Sequence, residues 1–155
     1  MTIAVCKIDG TTGAELWSSL VDVGTHATLR VVNPTTLETA ALPLPAGSEW
    51  TGLGNPPGSR GYLYKDATGS NGPCKMIVAK PDRMKGLCLG TLGPIPFTLD
   101  EPTQGTLIVS LELGTATPQC ARFGGSVLRD QGTASPGPSG RSQASNANAF
   151  PGDCP

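Results

Sequence analysis

Aromatic side chains, histidine and net charge are all scarce in this chain of 155 residues. Only Trp17, Trp50, Tyr62, Tyr64, Phe97, Phe123 and Phe150 are aromatic. The apolar fraction, 37%, lies below the globular norm of roughly 45 to 50%, a range that also counts Gly. A core is expected, because one domain of this size buries about 70% of its unfolded surface, but it must be lean and made of Val, Leu and Ile. Histidine occurs once, at His26. A hydrolase needs a nucleophile, a base within reach and an orienting group. Gly-x-Ser-x-Gly is absent and Cys6 or Cys120 would be the only thiol candidates, so His26 reads as a strand-end or surface residue and the chain as a non-enzyme.

Eleven Lys plus Arg against twelve Asp plus Glu leave no net field to concentrate DNA, RNA or anionic lipid, which argues against a nucleic-acid partner. No apolar run approaches the roughly 18 to 20 residues of a membrane span, and Met1 to Lys7 lacks the pattern of a signal peptide. The chain is therefore cytosolic, or its export signal lies outside this numbering. Low charge, abundant Gly, Pro, Ser and Thr, and five Cys favour the second, an extracellular or cell-surface protein.

What is plentiful is turn chemistry: 21 Gly and 15 Pro argue for short strands joined by tight turns and against long helices. Cysteines stand at 6, 74, 88, 120 and 154, with no CxxC and no histidine nearby, so a metal site is not expected. Cys74 with Cys88 and Cys120 with Cys154 make a natural pair of staples, each worth roughly 3 to 4 kcal/mol, although spacing alone does not fix the connectivity. Cys6 is then left over. It is either a free or intersubunit thiol or a thiol buried in a strand.

Along the chain, residues 2–8 read as a strand apolar on both faces, with Ile3 and Val5 against Ala4, Cys6 and Ile8, and hence covered on both sides. Residues 14–23 fit either a helix face of Leu16, Trp17, Leu20 and Val21 or a strand. Thr28–Asn33 is a strand ended by Asn33-Pro34, with residues 36–44 as its hairpin partner. Residues 45–58 form a long loop carrying Trp50, and Tyr62–Lys65 alternates with both tyrosines on one face. Cys74–Cys88 is a hairpin with a disulfide across it, turning at Pro81-Asp82. Residues 95–99, interrupted by Pro96, suggest an edge strand. Thr106–Leu113 is a half-buried strand with Leu107, Val109, Leu111 and Leu113 inward, and Cys120–Leu128 a strand bulged at Gly124-Gly125.

From Gly132 the composition is that of a linker, with Cys154 as the anchor of its end. The expected architecture is therefore all-β, an antiparallel β-sandwich or jelly roll over residues 1–131 with long Gly/Pro-rich loops, followed by an extended tail over 132–155.

Residues from about 50 to 155 resemble a repeat module of predicted secreted proteins from environmental bacteria. The resemblance is carried by Trp50 to Asp66, Gly72-Pro73-Cys74, Phe97 to Pro102 with Gly105, Cys120 to Gly125, and Cys154-Pro155. It implies an exported structural or adhesive part without an established activity. The Ser/Asn/Ala stretch before Cys154 departs from the Lys-rich ending associated with the module.

Candidate chemistry is thin. Asp100 and Glu101 are adjacent and would point to opposite faces, a poor arrangement for glycoside hydrolysis; with Asp66 they are the candidate calcium ligands, against a solvated turn. Gly52 to Gly58 lacks the spacing and following helix of a phosphate loop. Lys75, Lys80, Arg83 and Lys85 make a basic hairpin suited to an acidic polysaccharide or neighbour, or simply a solvated face. Trp50, Tyr62 and Tyr64 would form a sugar-stacking platform or pack in the core. The leading expectation is a structural subunit of an extracellular filament, sheath or surface layer, a homo-oligomer or polymer with Ile3, Val5, Cys6, Ile8 and Phe150 at its intersubunit contacts. The alternative is a carbohydrate-binding or adhesive module of a secreted protein. No cofactor is expected.

Overall fold

A computed structural model describes residues 2–6, 26–80, 83–98, 103–113, 119–123, 126–131, 141–145 and 148–149. Twelve strands and no helix occur among them: β1 (Thr2–Cys6), β2 (Ala27–Val32), β3 (Thr39–Leu44), β4 (Trp50–Gly52), β5 (Tyr62–Lys65), β6 (Cys74–Lys80), β7 (Arg83–Leu89), β8 (Leu107–Leu113), β9 (Gln119–Phe123), β10 (Ser126–Gln131), β11 (Arg141–Ser145) and β12 (Asn148–Ala149). They form one five-stranded sheet in the order β1-β7-β6-β5-β4, a second in the order β12-β9-β8-β2-β3, and a β10-β11 pair. Every pairing is antiparallel.

The period-2 pattern explains the second sheet directly. In β2 the buried positions are Ala27, Leu29 and Val31, and in β3 they are Ala40, Leu42 and Leu44. Register sets Leu29 between Leu42 and Leu111, and Val31 between Ala40 and Val109, so aliphatic side chains stand three abreast on one face. In the first sheet the corresponding positions are Tyr64, Cys74, Ile77, Ala79, Met84 and Cys88, and the two sets belong to one hydrophobic cluster. Each fully buried Leu, Ile or Val contributes about 1.5–3 kcal/mol.

One contact between the sheets depends on a glycine. Gly86 lies opposite Ile77 in the ladder. A Cβ there would stand 2.9 Å from Ile77 Cδ1 and 3.9 Å from Leu29 Cδ2 of the other sheet. The missing side chain is the slot that lets Ile77 lie down toward Leu29.

Several sequence expectations need correction. Residues 45–58 are not loop throughout, because Trp50–Gly52 pairs with Tyr62–Tyr64. The partner of β2 begins at Thr39, since the turn continues past residue 36: Asn33 N donates to the Glu38 carbonyl and Leu37 takes φ 64. Residues 94–98 form no strand; Phe97 is buried and its N–H turns back to the Ile95 carbonyl. Strand β8 is covered on both faces over Ile108–Leu111, with Ile108 and Ser110 as buried as Val109 and Leu111. The stretch expected as one bulged strand is two: β9 joins the second sheet and β10 pairs elsewhere, with β11. Within the linker-like stretch from residue 132, β11 pairs with β10 and β12 with β9.

Gly61 supplies a test of the packing. It has φ 109 and a Cβ there would collide with the carbonyl oxygen of Ala79. Gly61→Ala should cost roughly 3 kcal/mol from backbone strain alone, read as a lowered urea midpoint with an unchanged m-value.

Candidate functional site

The link between β5 and β6 is organised by one carboxylate. Asp66 Oδ1 accepts from Gly69 N at 2.9 Å, Ser70 N at 3.1 Å, Ser70 Oγ at 3.2 Å and Thr68 Oγ1 at 3.3 Å, and Oδ2 accepts from Asn71 N at 2.7 Å. The Asp66 N–H itself donates to the Lys75 carbonyl. The hydrogen bond from the Asn71 amide is the largest cause holding this carboxyl below its ordinary value, with Ser70 and Gly69 adding to it against the opposing effect of burial. With five donors of its own loop on its two oxygens, Asp66 is the acceptor that organises this turn. Asp100 and Glu101 lie outside the described residues. Among the described residues no three of His, Cys, Asp and Glu gather into a group.

The loop delivers Cys74 to Cys88. These residues are opposite each other in the β6–β7 ladder and joined by a disulfide, with both side chains buried in the core. This is the first staple the sequence suggested. Cys120 falls in β9 opposite Ser110, Cys154 lies outside the described residues, and so does the second staple.

The aromatic trio comes together, though not as a platform. Tyr64 is 1% exposed and Tyr62 9%; Trp50 is half-buried against the same cluster, with its ring 5.2 Å from that of Tyr64 at 59°. The indole N–H donates to the Pro45 carbonyl at 3.0 Å. Burial pushes the Tyr64 hydroxyl above its ordinary value, and the charge of Asp66 adds to this. Stacking a sugar needs open ring faces, and the two tyrosines turn theirs into the core. Their cross-strand neighbours Ile77 and Ala79 explain why: they occupy inward positions of a sheet covered on that side.

Two outward surfaces remain. On the second sheet an open groove is lined by Arg30, Val32, Leu37, Thr39 and Glu112. Arg30 Nε donates to Glu112 Oε1 at 2.8 Å, a hydrogen bond that raises the guanidinium above its ordinary value. Leu37 is 79% exposed at a turn fixed by buried Asn33, whose Oδ1 accepts from Thr35 N and Thr36 N and whose Nδ2 donates to the Gln104 carbonyl. On the first sheet the outward positions of β5–β7 carry Lys65, Lys75, Lys80 and Lys85 around the half-buried Met76, Val78 and Leu87. Lys75 is outward because a bulge sets it beside Met76. Arg83 opposes Lys80 at the hairpin end.

Of the other singled-out residues, His26 is exposed immediately before β2. The Gly52–Gly58 loop spends its backbone groups internally, with Leu53 N donating to Gly61 O, Arg60 N to Leu53 O and Ser59 N to Pro56 O. Ile3, Val5 and Cys6 lie in β1 opposite Cys88, Gly86 and Lys85; Ile8 and Phe150 lie outside the described residues. Sequence reading missed Asp66 as an organiser, although Asp followed within five residues by Thr, Gly, Ser and Asn is the signature of a side chain capping its own loop.

The chain matches no family model, no curated protein and no solved structure. Its function has to be read from these surfaces.

Two outcomes check the loop and the staple. The carboxyl of Asp66 is held below its ordinary 3.8, so its contribution to stability is complete above that value and is lost as pH falls through the folded pKa. Asp66→Asn should therefore lower the unfolding midpoint at neutral pH, and the gap to wild type should close in acid. Replacing Cys74 and Cys88 together by Ala should cost about 3 kcal/mol, measured by thermal or urea unfolding.

Proposed function

We propose that this chain is a structural subunit of an extracellular assembly, a filament, sheath or surface layer, built as a β-sandwich or jelly roll and held by strand addition or exchange between copies. The observation that carries this reading is the inequality of the four edges of the two five-stranded sheets. Strand β4 has three residues and β12 two, too short to template a partner. Strand β3 carries Pro43, which has no N–H to offer. These are the devices by which sheet edges are kept from pairing with other chains. Strand β1 has five residues, no proline, and a partner on one side only among the described residues.

Residues 7–26 separate β1 from β2, and its five register pairs with β7 would be identical if β7 belonged to a neighbouring copy. The buried Cys74–Cys88 bond supports an oxidising compartment outside the cytosol, as does the resemblance of residues about 50–155 to a module of secreted proteins. Cys6, opposite Lys85 in the register, is the cysteine this reading assigns to locking such a contact.

Light scattering and negative-stain microscopy on the full chain, with and without reductant, test this. Regular polymers are expected from wild type, with the chain lacking residues 2–6 remaining monomeric while keeping its β-sheet circular dichroism. Cys6→Ser should remove any sensitivity to reductant that Cys74–Cys88 does not explain. A wild-type chain monomeric at every concentration would sink the reading.

A further inference from the structure

We infer that the lysine-bearing outer face of the first sheet docks a second copy of this chain, which meets it head to tail through its carboxylate-rich remainder. The inference rests on the assembly reading above and adds which face is used and what it meets. Lys65, Lys75 and Lys85 are exposed and Lys80 half-buried. Among the described residues none of the four takes part in an ion pair or side-chain hydrogen bond. Asp66, one residue from Lys65 in sequence, is buried and spent on its own loop, so it neutralises nothing on this face.

The charge is segregated along the chain. Residues 50–89 hold six of the eleven Lys and Arg but two of the twelve Asp and Glu. The rest of the molecule consequently holds ten carboxylates against five cations. A chain with almost no net charge is thus unevenly charged along its sequence.

That segregation decides the geometry of contact. Two copies meeting through the same face would set lysines against lysines, a juxtaposition that costs several kcal/mol. A basic face meeting the acidic remainder is attractive, and it is heterologous, the kind of contact that propagates into rings or open filaments. Met76, Val78 and Leu87, half-buried among the lysines, supply the apolar centre that a protein partner needs inside a polar rim. An acidic polysaccharide would satisfy the lysines and leave those aliphatic groups against hydroxyls.

The test compares the full-length wild type with Lys65→Glu/Lys75→Glu/Lys85→Glu by light scattering over a range of protein concentrations, at about 0.05 M and about 0.5 M salt. All three residues are exposed, and circular dichroism checks that the variant folds. The variant is expected to need about 100-fold more protein to assemble, the corresponding Gln variant an intermediate amount, and wild type more protein at high salt than at low. Wild type and Glu variant assembling at the same concentration at both salts would overturn this inference and leave strand exchange through β1 standing. A wild type that never assembles overturns both readings, and if it is instead retained on an alginate matrix and the Glu variant is not, the occupant is a polysaccharide.

Discussion

Everything in this fold depends on strand register, because the core has few large side chains to correct an error. Leu29, Leu42 and Leu111 form one aliphatic row and Val31, Ala40 and Val109 the next, and these rows face Ile77, Ala79 and Met84 of the other sheet in one cluster. Side chains alternate with period two, so a slip of one residue in any strand would turn its whole apolar set outward. A core rich in aromatic rings survives small misplacements by re-packing a few large groups. A core of Ala, Val and Leu has no such reserve, and its register must be fixed from outside the apolar contacts.

Four polar or covalent devices do this. The Cys74–Cys88 bond ties directly opposed residues of β6 and β7, so these strands cannot slide while it is intact. The Asp66 carboxylate gathers the loop from Thr68 to Asn71 around itself, which fixes how much chain separates Tyr64 from Cys74 and hence the register of β5 on β6. On the other sheet Arg30 reaches Glu112 diagonally between β2 and β8. That pair is about a third exposed and worth at most about 1 kcal/mol, but it favours one alignment of two aliphatic strands that would otherwise differ little in energy. Asn33 acts likewise at the β2–β3 turn, spending its side chain on Thr35, Thr36 and Gln104.

The parts of this scheme legible in the sequence are those with a repeating signal. Residues 28–33, 39–44, 62–65 and 106–113 alternate long enough to announce strands, and two cysteines flanking a turn announce the stapled hairpin. Strand β4 was illegible because three residues between Gly-rich turns have no period; it is defined by its pairing with Tyr62–Tyr64. The misread segment at Ile95–Leu99 has alternating apolar residues but no ladder among residues 94–98, and its Phe97 is buried without one. Trp50 and Tyr64 do meet, yet whether a strand face points to solvent or to another sheet is a tertiary fact that no local pattern contains. The same holds for Asp66, whose five loop donors depend on how residues 66–71 fold back on themselves.

The proposed assembly combines two surfaces with different physical roles. Main-chain pairing along β1 would supply affinity while being nearly indifferent to sequence, since any extended strand offers the same donors and acceptors. Left alone, such an edge invites non-specific pairing, and the shortness of β4 and β12 and the proline in β3 limit that hazard at the other edges of the two five-stranded sheets. A segregated charge distribution adds what the ladder lacks, because it rewards one orientation of the incoming copy and penalises its reverse. An edge on one side of a sheet and a basic face perpendicular to it act along different directions, so the first would set how copies join and the second which way round they do so.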